Sequence, residues 1–138
     1  MSRGLGDVYK RQGLMIRPRD AARFGLLFTP SYKKVASSRL VSESFIKRIS
    51  VIPSNLQFDK RKQSQNGKRF AHSAYQWDAV FSNSDYFKGG WAGQGILVNP
   101  QKDLVAVYTG YAIDDNESQP DLLPILRQLL NHIYPSAR

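Results

Sequence analysis

YFKGGWAGQGILVNPQKDLVAVYTG, Tyr86 to Gly110, is the stretch whose reading decides the fold. Ile96 to Val98 and Leu104 to Tyr108 are apolar runs joined by Asn99-Pro100-Gln101-Lys102-Asp103, which predicts an antiparallel hairpin with a five-residue connection. The near-continuous apolarity of Leu104-Val105-Ala106-Val107 predicts a central strand covered on both faces. Ahead of the hairpin, Lys88 is followed by Gly89, Gly90, Gly93 and Gly95. Bare backbone beside a fixed cation suits an anion-binding or acyl-transfer site.

Upstream, Ala74, Gln76, Asp78 and Val80 alternate with Tyr75, Trp77, Ala79 and Phe81, the period of a half-buried strand with one large apolar face. Ser82 to Asp85 reads as a turn. Residues 54–69 carry little apolar pattern, and Asn66-Gly67 marks a turn within them. Two short helices precede this region. Pro18 suits a first helical turn, Asp20 complements the dipole, and Ala21, Phe24, Leu27 and Phe28 form one face before Thr29-Pro30 ends it. Ser42 caps a second helix whose stripe is Val41, Phe45, Ile46 and Ile49. A terminal helix starts near Ser118, or at Pro124. It presents Leu122, Leu126, Leu129, Leu130 and Ile133, with Leu123 and Ile125 on the flank.

The whole reads as one α+β domain, with an antiparallel sheet of at least three strands (about 73–81, 93–99 and 103–110) and the terminal helix on one face. A length of 138 residues with 41% apolar content supports a single core. With no cysteine, disulfide frameworks and thiolate metal sites are excluded, and His72 and His132 are too far apart in sequence to suggest a metal set. No membrane span and no cofactor are expected. The net charge of +9 raises nucleic-acid binding as an alternative, that of a small basic module for nucleic acid or acidic polymer. The basic residues are dispersed, however, and nucleic acid is not the expected partner.

Ser31-Tyr32-Lys33-Lys34 and Ser44-Phe45-Ile46-Lys47 match S-x-x-K, the spacing that sets a hydroxyl and an amine one helical turn apart. Ser64-Gln65-Asn66 matches S-x-N. In a chain this rich in Ser and Lys, chance accounts better for all three.

Residues 13–134 resemble the C-terminal part of the beta-lactamase-related serine hydrolases, the group of class C beta-lactamases, low-molecular-weight penicillin-binding proteins and related esterases and amidases. Arg19–Phe28 and Leu40–Ile49 are similar to two successive helices of that family. Tyr86–Gly110 is similar to its final strand pair with the leading K-T-G or H-x-G motif. The resemblance implies that Lys88 orients the substrate and supports the proton network around the nucleophile. Gly89 stands where many members have threonine, which weakens a beta-lactam assignment; a non-catalytic relative is a further possibility. Gly90 keeps the motif's glycine beside the substrate acyl group. The backbone N–H of Trp91 becomes an oxyanion donor, and its indole floors the acyl pocket. The family's serine, its lysine partner and its Y-x-N tyrosine precede the matched region. The chain is therefore expected to be a C-terminal fragment, inactive alone, of an enzyme acting on an ester, amide, D-amino-acyl peptide or beta-lactam. The expected partner is thus a small-molecule or peptide acyl substrate, and the expected location is periplasmic or extracellular. The opening MSRGLGDVYKRQ (residues 1–12) resembles a translated adapter tail and is set apart from the domain at 13–138.

Overall fold

The computed structural model describes residues 16–51, 70–81, 83–90, 94–109 and 123–133. Helix α1 (Pro18–Leu26), a 3-10 turn (Pro30–Lys34) and helix α2 (Glu43–Ser50) precede five strands. These are β1 (Phe70–Ala74), β2 (Trp77–Phe81), β3 (Tyr86–Gly90), β4 (Gln94–Asn99) and β5 (Leu104–Tyr108), and helix α3 (Leu123–Ile133) follows. The strands lie side by side in chain order as one antiparallel sheet. The α+β class read from the sequence is the class observed.

The sheet separates two apolar layers. On one face Phe28 and Ile49 meet Trp77, Val80, Tyr86 and Val98, with Leu27, Val41, Phe45, Ile46, Ile96 and Val105 around them. On the other, Leu123, Leu126 and Leu130 of α3 cover Ala79, Phe81, Leu97, Phe87 and Ala106. Fully burying a side chain such as Ile49 or Val98 contributes about 1.5–3 kcal/mol, so these layers dominate the stability.

The structure splits the strand expected over 73–81. Tyr75 (φ 49°) and Gln76 (φ 71°) adopt the paired left-handed conformation of a two-residue hairpin turn, and β1 and β2 fold back on each other. Neither residue type signals such a turn. Between the pairs Ala74↔Trp77 and His72↔Val80, β2 carries one residue more than β1, a bulge at 78–79. It shifts the face assignment: Trp77 and Val80 join the first layer, while Ala79 and Phe81 join the second. The expected single face of Trp77, Ala79 and Phe81 is thereby divided.

β5 is likewise corrected. Among the described residues it pairs with β4 and ends the strand order rather than sitting centrally. Both its faces are still covered, Val105 by the first layer and Ala106 by the second. Continuous apolarity reports what lies above and below a strand, and says nothing of its neighbours to left and right. The pair Asn99↔Leu104 also shortens the connection to residues 100–103. Asn99 Oδ1 accepts the Lys102 N–H at 2.8 Å there, and Asp103 takes φ 51°.

The helices show why their packing is rotated from the expected stripes. In α1 the buried position is Gly25, and a Cβ there would lie 2.6 Å from Val105 Cγ1. The missing side chain lets the helix axis approach β5, which rolls Phe24 outward to 42% exposure. Phe24 still meets the edge of buried Phe28, ring centroids 5.5 Å apart. The helix ends at Leu26, two residues short of the expected limit. In α2, Ser42 caps as expected, its Oγ accepting the Phe45 N–H at 3.2 Å. In α3, Leu123, Leu126, Arg127 and Leu130 turn inward, and Ile125, Leu129 and Ile133 turn out. Ser118 and Leu122 lie outside the described residues, as does Asn66-Gly67.

Candidate functional site

Lys88, Gly89 and Gly90 form the last three residues of β3, where among the described residues that strand has one ladder neighbour. β3 stays in register with β4 through Lys88↔Ile96, Gly89↔Gly95 and Gly90↔Gln94, whereas its pairing with β2 spans Ala79↔Phe87 and Val80↔Tyr86. Beyond that point the β2-facing edge of β3 offers backbone donors. By strand alternation Lys88 belongs to the face of Tyr86, and Gly89 to the face of Phe87.

Asp78, in the bulge of β2, occupies this edge. Its Oδ1 accepts from Lys88 Nζ at 2.7 Å and its Oδ2 accepts from the Gly89 N–H at 2.8 Å. One carboxylate therefore bridges an ammonium and a main-chain amide. A Cβ at Gly89 would sit 3.4 Å from Asp78 Oδ2, an ordinary contact, and 3.3 Å from the Phe87 ring, a slightly tight one. The Lys88 and Asp78 side chains retain 45% and 48% exposure, so the pair is weak as a stabiliser, worth about 0–1 kcal/mol. The structure thus brings Lys88, Gly89 and Gly90 together on one strand end and adds Asp78, whose place in the sequence marks it only as one step of a strand alternation. Trp91 lies outside the described residues.

A second polar cluster, unforeseen from the sequence, lies buried between the sheet and α3. Arg127 Nε donates to Asp85 Oδ2 at 3.0 Å, with side-chain exposures of 7% and 9%. Asn83 Nδ2 donates to the same oxygen at 2.8 Å. Asn99 Nδ2 donates to Asp85 Oδ1 at 2.7 Å and to the Asn83 carbonyl at 3.1 Å. The Arg127 guanidinium stacks 3.6 Å from the Phe81 ring centroid. With the charge paired and each carboxylate oxygen bonded, the cluster reads as a fastening of α3 to the sheet. One signal was present: an arginine set one turn from Leu123 and Leu130 on an otherwise apolar helix face.

The S-x-x-K serines are engaged elsewhere. Ser31 Oγ donates to Asp103 Oδ2 at 2.6 Å and its N–H donates to Asp103 Oδ1 at 2.9 Å. Burial opposes ionisation of Asp103, but the Ser31 hydroxyl, Thr29, the Ser31 N–H and the Lys34 charge together hold its carboxyl below 3.8. Ser44 Oγ lies 3.0 Å from Ser42 Oγ at the start of α2. Lys34 and Lys47 are both exposed. Ser64 lies outside the described residues. An open groove of about 310 Å³ runs between Ala22 and Leu26 of α1 and residues 102–105. Lys88 is level with Ile96 and Val107, toward the other end of β5, so the groove is no part of its site. Tyr86, one turn of the pleat from Lys88, is buried, and its hydroxyl donates to the Ile46 carbonyl at 3.1 Å and bonds Ser50. Burial raises its pKa above 10.0, partly offset by the Ser50 hydrogen bond.

Among the described residues no helix is long and apolar enough to cross a membrane, and no group of three or more His, Cys, Asp or Glu is placed to hold a metal ion. No family model, curated protein or solved structure matches this chain.

Proposed function

We propose that this chain forms one wall of the active site of a serine hydrolase related to the beta-lactamases, with Lys88 as the cation of that wall. The nucleophile belongs to sequence that precedes the matched region. The observation that carries the reading is the bridging of Lys88 Nζ and the Gly89 N–H by one carboxylate at an open strand end. Lys88 keeps two ammonium hydrogens beyond the one given to Asp78, and these can orient an acyl substrate at the strand end. The amide of Trp91, next along the chain, is the proposed donor to the developing oxyanion. The engaged hydroxyls of Ser31 and Ser44 support a nucleophile placed elsewhere. Under this reading the parent enzyme is exported and works on an ester or amide acyl group.

The purified 138-residue chain treated with a chromogenic ester and a penicillin-type acylating probe is expected to show no turnover and no covalent adduct. Mass-spectrometric labelling of Ser31 or Ser44 would overturn the assignment. Coding sequence joined upstream is expected to supply an S-x-x-K at a helix start and a Y-x-N further on.

Charge supports a second reading. Residues 16–51 carry eight Lys and Arg against two acids, and Asp20 and Glu43 are already paired with Arg23 and Arg39. A basic layer of this kind can contact a nucleic acid through phosphates. That reading requires affinity for single- or double-stranded DNA that falls steeply with salt, and it is dismissed by no binding at low salt.

A further inference from the structure

We propose that Asp78 sets the charge preference of the Lys88 edge, so that the acyl ligand received there is uncharged beside Lys88 and a carboxylate-bearing ligand is excluded. The inference rests on the functional reading above and names its substrate class: neutral esters or amides. An ammionium-and-amide pair such as Lys88 Nζ and the Gly89 N–H would by itself attract anions. Here Asp78 meets both donors at 2.7 and 2.8 Å and cancels the charge. An incoming carboxylate therefore meets an occupied receptor and a like charge at contact distance.

The backbone at Asp78 is anchored by its neighbours: Trp77 and Ala79 flank it at 6% and 3% exposure, in opposite layers of the core, which keeps the side chain's point of attachment next to Lys88. A neutral carbonyl brings no full negative charge against Asp78 and can accept one of the two Lys88 ammonium hydrogens that Asp78 leaves unused. The same edge therefore admits an ester or amide and refuses an acid.

The test is an amide-resolved NMR titration of the full chain with acetate at constant ionic strength, with acetamide as the uncharged control. The wild-type Gly89 and Gly90 amides are expected to show no saturable shift with acetate. Asp78→Ala is expected to gain saturable acetate binding, an increase in affinity of up to about fivefold, as loss of a half-exposed opposing charge implies. Adding Lys88→Ala to that variant is expected to abolish the gain. Asp78→Asn keeps an acceptor for the Gly89 N–H while removing the charge, and should show a smaller gain; it serves if Asp78→Ala does not fold. Saturable acetate binding by wild type equal to that of the variants overturns the proposal, as does the absence of any gain in both. No nucleophile is needed for this titration, so its failure is distinguishable from a failed acylation experiment.

Discussion

Two aspartate–cation pairs lie on this sheet, and their surroundings give them opposite roles. Asp85–Arg127 is buried, with 9% and 7% side-chain exposure, and Asn83 and Asn99 satisfy the remaining carboxylate valences. Asp78–Lys88 is no longer, 2.7 Å against 3.0 Å, but both side chains are nearly half exposed. Distance alone would rank the second pair as the stronger. Desolvation reverses that ranking, because a buried ion that loses its partner has no water to replace it. The buried pair is suited to holding α3 on the sheet, and the exposed pair can be broken or rearranged with little effect on the fold.

That contrast can be broken in several ways. Arg127→Ala should destabilise the chain by about 3–5 kcal/mol in urea unfolding, since it strands Asp85 and removes the stacking on Phe81. A loss no larger than that of Lys88→Ala would refute the distinction. Asn99→Ala should cost about 1–3 kcal/mol by leaving an Asp85 oxygen and the Asn83 carbonyl without a donor, again read from the urea midpoint. Tyr86→Phe removes a single buried hydroxyl and should cost about 1 kcal/mol. Lys88→Ala and Asp78→Ala should each fall within about 1 kcal/mol of wild type while changing what binds at the strand end.

The smallest expected effects are those of pH. The depressed pKa of Asp103 stabilises the fold above 3.8, and that contribution is lost as pH falls through the folded-state value. Tyr86 acts in the other direction. Its raised pKa favours the fold fully below 10.0, and the benefit is lost as pH rises from there through the folded value. Ser31→Ala should remove part of the acid-side slope and Tyr86→Phe the alkaline-side slope, both measured as urea midpoint against pH.

Much of the fold is legible in the chain because the signals are local. The Ser42 cap, the period of α2 and the apolar runs of β4 and β5 depend on residues close in sequence, and each element forms where that pattern places it. The β1–β2 hairpin escapes because Tyr75 and Gln76 take left-handed conformations without a glycine or asparagine to announce them. The bulge at 78–79 then changes the side to which each following residue points, which no alternation count in β2 alone can detect.

The α+β class, the two N-terminal helices, the β4–β5 hairpin and the Lys-Gly-Gly strand end are all written in local sequence. The tertiary structure decided how those pieces meet. Gly25 sets the roll of α1, because the absent Cβ permits contact with Val105. Arg127 turns α3 inward because Asp85, 42 residues earlier, offers a buried counter-charge. Asp78 reaches Lys88 and Gly89 because the β2–β3 register, Ala79 opposite Phe87, brings the next residue of each strand alongside. Periodicity expresses each segment's preference against a generic apolar surface. The partners that select among the available orientations are brought up by the sheet, from positions distant in the chain.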